Sequence, residues 1–438
     1  MTTTLAESKD QAESALLDQH KKFLSETKPL QAFLPINESA IKRFELLKFP
    51  HRKHEMYTFV NTKELVSTSC SLVSVGSVSA DIIKRHIYPG CENSHLVIVD
   101  GAYKENLSDC SAISSSINII PLAEALSEPE LKNYLADTVE EENDVFACIN
   151  SAFLSQGLLI DLPKKAQVPA PLQILYVSSG SPAQPVTSHP RVIVRLGAMA
   201  ELKLIVKYVG VQGNYFVNSV QDFLIGEDAG MTFTQVQEDA TDAWHCSKTR
   251  VALERNSRFF ASNASYGSKL TRHHYDVRLK NEGAELRLNG VSVLTGEEQV
   301  HNFIRIHHEA PHCTSSQKFK NIINDKGRSS FDGTVIVNQG AQLTNADQLI
   351  NNLMLSDNAH ADNKPNLMIF ADDVKCAHGA TIGQIDEDQM FYLKTRGLSQ
   401  KVAKELLTRS FAQSIIQTIE FPAVVKDLEN NFLKKLEA

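Results

Sequence analysis

The longest regular pattern in the chain is an alternation of apolar and polar residues between positions 172 and 370. Residues 192–194 (Val-Ile-Val) and 202–204 (Leu-Lys-Leu) are examples. A period of two predicts β-strands, because successive side chains of a strand point to opposite faces. Residues 6–47 and those after Gly397 carry apolar residues at helical spacing instead. The pattern therefore predicts a mainly β core between two helical regions.

A short motif recurs inside the β region: a small residue, any residue, then a large apolar residue. Its copies begin at Ala200, Ala229, Ser257, Ala284 and Ala341, at steps of 29, 28, 27 and 57 residues. The last step is close to two periods, so a missing copy is expected near Cys313. A β-unit that recurs at a fixed period predicts a stacked solenoid, most simply a parallel β-helix. A β-sandwich with coincidental spacing is the alternative.

Helix boundaries can be placed at both ends of the chain. Pro29 and Pro35 interrupt the N-terminal region, and residues 37–39 (Asn-Glu-Ser) are expected to precede a second short helix that ends near Leu47. Asp386 is a candidate N-cap, Gln389 occupies the reciprocal position of a capping box, and Gly397 is a helix stop. We therefore expect an N-terminal helical and mixed domain (1–145), a β core (146–385) and a C-terminal helical domain (386–438).

The C-terminal tail carries a broad apolar stripe. Ser399 is a candidate N-cap for its first helix. The stripe residues are Val402, Leu406, Phe411, Ile415 and Ile416, with lysine and arginine between them. A stripe of this kind normally packs on its own domain.

The candidate chemistry lies at the end of the β region. Residues 367–370 (Leu-Met-Ile-Phe) have the length and composition of a strand buried on both faces. If the chain stays extended beyond them, Cys376 and His378 share one face, roughly 6–7 Å apart at the backbone. Gly379 and Gly383 are expected to end that strand. The plain interpretation is a small buried thiol beside a structural histidine; the alternative is a pair of soft metal ligands.

Composition narrows the class of protein. The 438 residues include 42% hydrophobic and 22% charged residues, which is ordinary for a globular protein, and no apolar run approaches a membrane span. A net charge of −8 argues against a nucleic-acid platform. The first forty residues show neither a secretory signal nor a transit peptide. Seven scattered cysteines without a CxxC pair are typical of a reduced, cytoplasmic protein.

One familiar motif in the β region is misleading. Residues 308–312, His-Glu-Ala-Pro-His, match the HExxH pattern of zinc proteases. That pattern needs a helix, which Pro311 would disrupt, so we do not expect protease chemistry. Whether His307, His308, His312 and Cys313 bind a metal stays open. No P-loop and no GxSxG elbow occurs, so any ATP hydrolysis must take place in another chain.

The sequence of residues 371–397, ADDVKCAHGATIGQIDEDQMFYLKTRG, closely resembles the C-terminal region of the SufB/SufD family. That family belongs to the SUF system of iron–sulfur cluster assembly. The SufB branch typically carries glutamate where this chain has Gly379, so the resemblance favours the SufD branch.

Further segments resemble the same family. Residues 49–57 are similar to its FP-x-[RK]-x-E-x-W element, with Met56 in place of tryptophan. Residues 146–171 resemble the element that precedes its core, and residues 308–320 resemble its H-x-x-PH[TC]-x-S-x-Q-x-[FY]K segment. The resemblance implies a right-handed parallel β-helix core.

The resemblance also implies a function and partners. Members of this family pair SufB with SufD and bind the SufC ATPase, forming a scaffold on which iron–sulfur clusters are built. Cys376 and His378 would then contribute to a transient cluster shared with SufB. The C-terminal helices, including Leu406, Phe411 and Ile415, would dock SufC. A homodimer is expected as an alternative for the isolated chain, and participation of a flavin in the complex stays open.

Three functions are therefore compared. The first is a non-catalytic assembly scaffold, whose two ligands a second subunit would complete. The second is a SufB-like subunit that accepts sulfur directly, for which Cys246 and Cys313 are the candidate further ligands. The third is a β-helix enzyme acting on carbohydrates, which the architecture alone permits.

Overall fold

The computed structural model describes residues 2–51, 54–72, 78–181 and 184–436. Its helices are α1 (Thr2–Glu26), α2 (Leu34–Leu47), α3 (Lys63–Ser67), α4 (Ala80–His86), α5 (Leu122–Ala125), α6 (Pro129–Glu140), α7 (Val145–Ala152), α8 (Glu387–Thr395), α9 (Gln400–Ile416) and α10 (Pro422–Asp427). Two N-terminal helices and the end of the second at Leu47 are confirmed, but α2 begins at Leu34 with Pro35 in its first turn, so residues 37–39 lie inside the helix and not before it. Arg52 and Lys53 of the FP element lie outside the described residues.

The strands before the regular repeat are short. They are β1 (Ser71–Leu72), β2 (His95–Val99), β3 (Ala102–Tyr103), β4 (Asn118–Pro121), β5 (Leu158–Leu162), β6 (Leu172–Ser178), β7 (Val186–Ser188) and β8 (Arg191–Leu196). The repeat itself comprises β9 (Glu201–Gly210), β10 (Tyr215–Ile225), β11 (Gly230–Glu238), β12 (Trp244–Leu253), β13 (Arg258–Ser265), β14 (Leu270–Leu279), β15 (Glu285–Leu294), β16 (Gln299–His308), β17 (Thr314–Ile323), β18 (Arg328–Val337), β19 (Thr344–Met354), β20 (His360–Ile369) and β21 (Val374–Gly383).

The strands form two sheets that wind around a common axis. Even-numbered strands from β8 to β20 lie in the first sheet, and odd-numbered strands from β9 to β21 lie in the second. Each strand pairs in parallel with the strand two places further along the chain. Since consecutive strands alternate between sheets, each pair of strands is one turn of a β-solenoid with about seven turns. The predicted mainly β solenoid with helices at both ends is confirmed.

The pairing register identifies the repeating position. The strand registers of the second sheet show that the repeating position at the start of each strand is occupied by Ala200, Ala229, Ser257, Ala284, Cys313 and Thr344. The copy expected near Cys313 is therefore Cys313 itself. The copy placed at Ala341 was wrong: Ala341 lies in the preceding turn, because this turn of the solenoid is longer, and Asn345 pairs with Thr314.

Apolar side chains fill the space between the sheets, and helices cover their outer faces. Phe223, Phe233 and Phe259 pack against one another in the interior. The N-terminal helices cover the first sheet, burying Phe216 and Trp244. Helices α9 and α10 cover part of the second sheet. Among the described residues, every helix is too short or too polar to span a bilayer.

A buried ionic network joins the N-terminal layer to the first sheet. Asp144 caps α7 by accepting a hydrogen bond from the backbone N–H of Phe146. The same carboxylate accepts hydrogen bonds from the Tyr57 hydroxyl at 2.8 Å and the Arg272 guanidinium at 2.5 Å, and lies 2.6 Å from His274 Nδ1. Buried charges that are paired in this way fix one element on another. The N-terminal layer is therefore anchored to the solenoid wall.

The two ends of the solenoid differ. At the N-terminal end, β4 pairs antiparallel with β5 and β3 pairs antiparallel with β2, closing each sheet with a short strand. At the C-terminal end, β20 and β21 are the last strands of their sheets. Residues 367–370 lie here, so their predicted burial on both faces was wrong: Phe370 is 59% exposed and Met368 43% exposed. This end of the solenoid is open.

Candidate metal site at the open end

The predicted cysteine–histidine pair lies in β21. This strand runs from Val374 through Gly379 to Gly383, so Gly379 does not end it, contrary to expectation, whereas the strand does end at Gly383. Gly379 pairs with Leu349 of β19 and stays within the ladder. Cys376 and His378 are two residues apart in this regular strand, so they face the same side, as predicted.

That side is the interior of the solenoid. Cys376 stacks on Ala346, and His378 stacks on Gln348. The residues stacked in register below Cys376 and below His378 form two columns of side chains. Deeper in the core both columns are apolar: the Cys376 column contains Leu202, Met231, Phe259 and Leu286, and the His378 column contains Leu204, Phe233, Ala261 and Leu288. In the last turns they become polar, with Ser315 in the first column and Gln317 and Gln348 in the second. Because no further turn covers β21, Cys376 is only half-buried and His378 is exposed.

The surroundings of Cys376 keep its thiol protonated near neutral pH. Partial burial raises the pKa of the Cys376 thiol, and a hydrogen bond with the backbone at Ala346 opposes that shift. A metal ion that binds the sulfur must therefore displace the proton.

The donor set fits iron chemistry but is incomplete. Thiolate sulfur and imidazole nitrogen are ligands that iron and iron–sulfur clusters accept, usually four per cluster. Within the described part of the chain, no group of three or more His, Cys, Asp or Glu side chains is arranged to hold a metal ion. Cys376 and His378 therefore offer at most two of the ligands that such a cluster needs, on an open surface.

The structure does not bring the other candidate ligands to this site. His308 is buried, its Nε2 lies 2.8 Å from the Ser315 hydroxyl, and burial lowers the pKa of its imidazole to about 4. Cys313 is fully buried, and its thiol donates a hydrogen bond to the Asn281 carbonyl. Both side chains are therefore buried, and a role for them as additional ligands stays a prediction.

The remaining histidines of that segment point elsewhere. His312 is exposed on a turn, with a φ of 60° and its Nε2 3.8 Å from the Glu282 carboxylate. His307 lies 3.7 Å from Asp276. β16 ends at His308 and a turn follows, so the HExxH letters do not lie on a helix and the protease reading is rejected.

The C-terminal helices begin as predicted. Asp386 accepts a hydrogen bond from the backbone N–H of Gln389 at 3.0 Å, and Ser399 accepts one from Val402 at 3.3 Å. Gly397 has a φ of 92° and ends the first of these helices.

The three residues expected to bind a partner differ in exposure. Leu406 is 46% exposed, whereas Ile415 is 2% exposed and packs against the second sheet, so Ile415 is corrected to a core residue. Phe411 is half-buried beneath the Lys320 ammonium, which lies 4.5 Å from its ring centre. Four exposed residues on α8 and α9 form what we call the α8–α9 patch: Phe391, Tyr392, Val402 and Leu406.

Sequence reasoning missed the glutamines below the site. Gln317 and Gln348 are buried beneath His378 in the same column. Gln317 is the glutamine of the family-like segment at residues 308–320, but no local motif marks Gln348. The repeat could have found them, since Gln348 lies one period before His378, but only once the true register of the last turns is known.

Two family descriptions match almost the whole chain. Residues 8–174 match the SufBD protein N-terminal region, and residues 177–411 match the SufBD core domain of the SUF system for FeS cluster assembly.

Several curated proteins are similar along most of their length. An iron–sulfur cluster assembly SufBD family protein of Synechocystis is 31% identical, covering 85% of this chain and 84% of the relative. The iron–sulfur cluster assembly protein SufD of Escherichia coli is 28% identical over 84% and 85%, respectively. Protein ABCI7, chloroplastic, of Arabidopsis thaliana is 29% identical over 94% and 87%.

Proposed function

The chain belongs to the SufBD family of the SUF system for iron–sulfur cluster assembly, and from that premise we propose that it is a non-catalytic scaffold subunit of a SufB–SufC–SufD complex. In this role it pairs with a SufB-like subunit through its open solenoid end. Cys376 and His378 supply two ligands to a cluster under construction, and the partner supplies the rest.

The exposed end of the solenoid carries this proposal. A terminal repeat of a solenoid normally has a polar outer face that protects it from association. Here β20 and β21 instead present unpaired strand edges together with exposed Met368, Ile369, Phe370 and Ile382. Edges of this kind pair readily with another chain. A partner that covers them lies next to Cys376 and His378.

The α8–α9 patch supports docking of a SufC-like ATPase. Its four side chains lie on α8 and α9, the two helices that directly follow β21 in the chain. A partner bound to these helices therefore contacts the part of the chain that leads on from Cys376 and His378. We propose that closure of the ATPase pair shifts the SufB–SufD interface and rearranges the half-site, coupling two states of one assembly.

The scaffold role is favoured over the other two functions. Cys246 and Cys313, the further ligands that a SufB-like sulfur acceptor would need, are both buried. A carbohydrate-active enzyme is disfavoured because the family is one of cluster assembly. The cluster is treated as cargo, and no residue here argues for a flavin. All seven cysteines are free, which supports a reducing compartment such as the cytoplasm.

The test replaces the two ligands in the assembled complex. We expect Cys376→Ala and His378→Ala to leave folding and co-purification with SufB-like and SufC-like partners unchanged, and to lower the iron and sulfide bound per complex severalfold. His312→Ala, which removes an exposed histidine away from β21, is the matched control and should bind as much as the wild type. A wild-type cluster yield from the double variant at positions 376 and 378 would remove the proposal.

A further inference from the structure

We propose that Gln348 is a positioning residue for His378: its side-chain carbonyl accepts a hydrogen bond from one imidazole N–H and leaves the other ring nitrogen free to bind metal. This inference rests on the proposed function, in which His378 is a cluster ligand, and assigns a role to the residue directly beneath it.

The strand register places the two side chains together. Gln348 of β19 and His378 of β21 are paired neighbours on the same, inward-facing side of the second sheet. Their backbones are therefore about 4.8 Å apart, which is the spacing of adjacent strands. An amide and an imidazole at that separation are within reach of a direct hydrogen bond.

The amide of Gln348 is buried and unpaired. The residue is 2% exposed, and among the residues that the structure describes neither its side-chain oxygen nor its nitrogen has a hydrogen-bond partner. Buried polar groups are nearly always paired, because an unpaired one loses its hydration without compensation. The unpaired amide below an exposed imidazole is thus explained if His378 turns inward in solution, before any metal binds, and pairs with it.

The opposite sheet leaves room for this amide. A Cβ added to Gly333 of β18 would lie 3.1 Å from Gln348 Nε2 and 2.4 Å from the Phe331 ring. Glycine at this position therefore keeps a space in the centre of the last turns, and the Gln348 amide occupies it. From there the amide lies below the mouth that Cys376 and His378 line.

The chemistry matches a common arrangement of metal-binding histidines. Such a histidine usually donates its second N–H to a carbonyl or carboxylate, which fixes the tautomer and the orientation of the ring. Since His378 lies on an open edge, a fixed ring reduces the ordering that a partner or a metal must impose.

The experiment uses the full-length chain with Co²⁺ as the probe and compares Gln348→Met with Gln317→Met. Gln317 is the matched control because it lies in the same column one strand deeper, is fully buried, and also has an unpaired amide. Binding is followed by the thiolate-to-cobalt absorption of Cys376. We expect Gln348→Met to weaken Co²⁺ affinity about 10-fold or more and Gln317→Met to leave it near the wild-type value.

A second readout reports on the ring itself. In the ¹⁵N spectrum of histidine-labelled protein at a pH where imidazole is neutral, His378 is identified by its loss in His378→Ala. We expect its ring-nitrogen shifts in the wild type to differ from those of a free imidazole, and to return to free values in Gln348→Met alone. Free-imidazole shifts in the wild type would overturn the inference, even if Gln348→Met failed to fold.

The two proposals fail in different ways. If His378→Ala binds Co²⁺ as tightly as the wild type, the ligand role of His378 and the proposed half-site are both wrong. If His378→Ala weakens binding but Gln348→Met does not, or if both glutamine variants weaken it equally, only the positioning role of Gln348 is lost.

Discussion

Glu142 is a second buried carboxylate that joins the N-terminal layer to the first sheet. Its side chain is buried, with Oε1 2.6 Å from the Lys248 ammonium and Oε2 bound to the Arg250 guanidinium. Burial alone would raise the pKa of this carboxyl, but the two cations outweigh it and lower the pKa to about 2. The ionised form is therefore the one that stabilises the fold.

A pH-dependent loss of stability follows. Because the folded pKa lies below the unfolded value of about 4.3, Glu142 stabilises the protein above that pH and loses its contribution as the pH falls towards 2, by about 3 kcal/mol in all. Glu142→Gln leaves two buried cations without their counter-charge and should cost about 3–5 kcal/mol at pH 7. The difference from wild type should shrink below pH 4.3, as measured by urea unfolding.

The control is Glu45→Gln, which changes an exposed carboxylate of α2. We expect it to shift the unfolding free energy by no more than about 0.5 kcal/mol at any pH. A wild-type to Glu142→Gln difference that stays constant from pH 7 to pH 3 would contradict the assignment.

Individual residues were predictable only where a local pattern marked them. Asp386 and Ser399 carry the residue type and spacing of N-caps, and both caps are present. Cys376 and His378 were singled out by their spacing of two residues and by the resemblance of their segment to the SufB/SufD family, and their ligand role stays a prediction. Gln348 has no such mark. Gln348 pairs with His378, which lies thirty residues further along the chain. That pairing follows from the strand register of the whole sheet and not from a local motif.

At the scale of elements, α9 presents two apolar residues with opposite roles. Ile415 packs on the second sheet, so Ile415→Ala should lower the unfolding free energy by about 2–5 kcal/mol through the cavity it leaves. Leu406 is exposed, so Leu406→Lys should change stability by less than about 0.5 kcal/mol yet weaken binding of a SufC-like ATPase. Urea unfolding and titration calorimetry separate the two effects.

Each variant of this pair is a control for the other. If Leu406→Lys unfolds the chain, the residue belongs to the core rather than to a docking surface. If Leu406→Lys binds the ATPase like the wild type, the α8–α9 patch is not the docking site.

The prediction that residues 367–370 are buried on both faces was wrong. An apolar run of four residues predicts burial within the chain, but Phe370 and Met368 are exposed. Hydrophobic composition reflects the surface that an element covers in its working state, which can be another protein. The sequence alone cannot distinguish a strand buried by its own fold from a strand buried by a partner.

For the whole molecule, the repeat was predictable because every turn must stack on the next. Copies at Ala200, Ala229, Ser257 and Ala284 gave the period, and the period gave the solenoid. The spacing of the motif fails after Cys313 because the turn before Thr344 is longer. The motif at Ala341 is therefore out of register with the strands. That one end of the stack is open could not be predicted, since it depends on which strands lack a neighbour.

The open end should also be the least stable part of the isolated protein. In a solenoid, each repeat is stabilised mainly by its neighbours. β12 and β14 each pair with strands on both sides, whereas β20 and β21 each have a neighbour on one side. Local opening therefore costs least at β20 and β21, and their amides should exchange with deuterium faster than those of β12 and β14.

A partner that adds strands to this end reverses the order. In the complex with a SufB-like subunit, we expect amides of β21 to gain protection by an order of magnitude or more, while those of β12 stay unchanged. Hydrogen–deuterium exchange with mass spectrometry measures both regions in one sample, so β12 is the internal control. If the complex forms and β21 gains no protection, the partner binds another surface, and the half-site at Cys376 and His378 is not completed at the solenoid end.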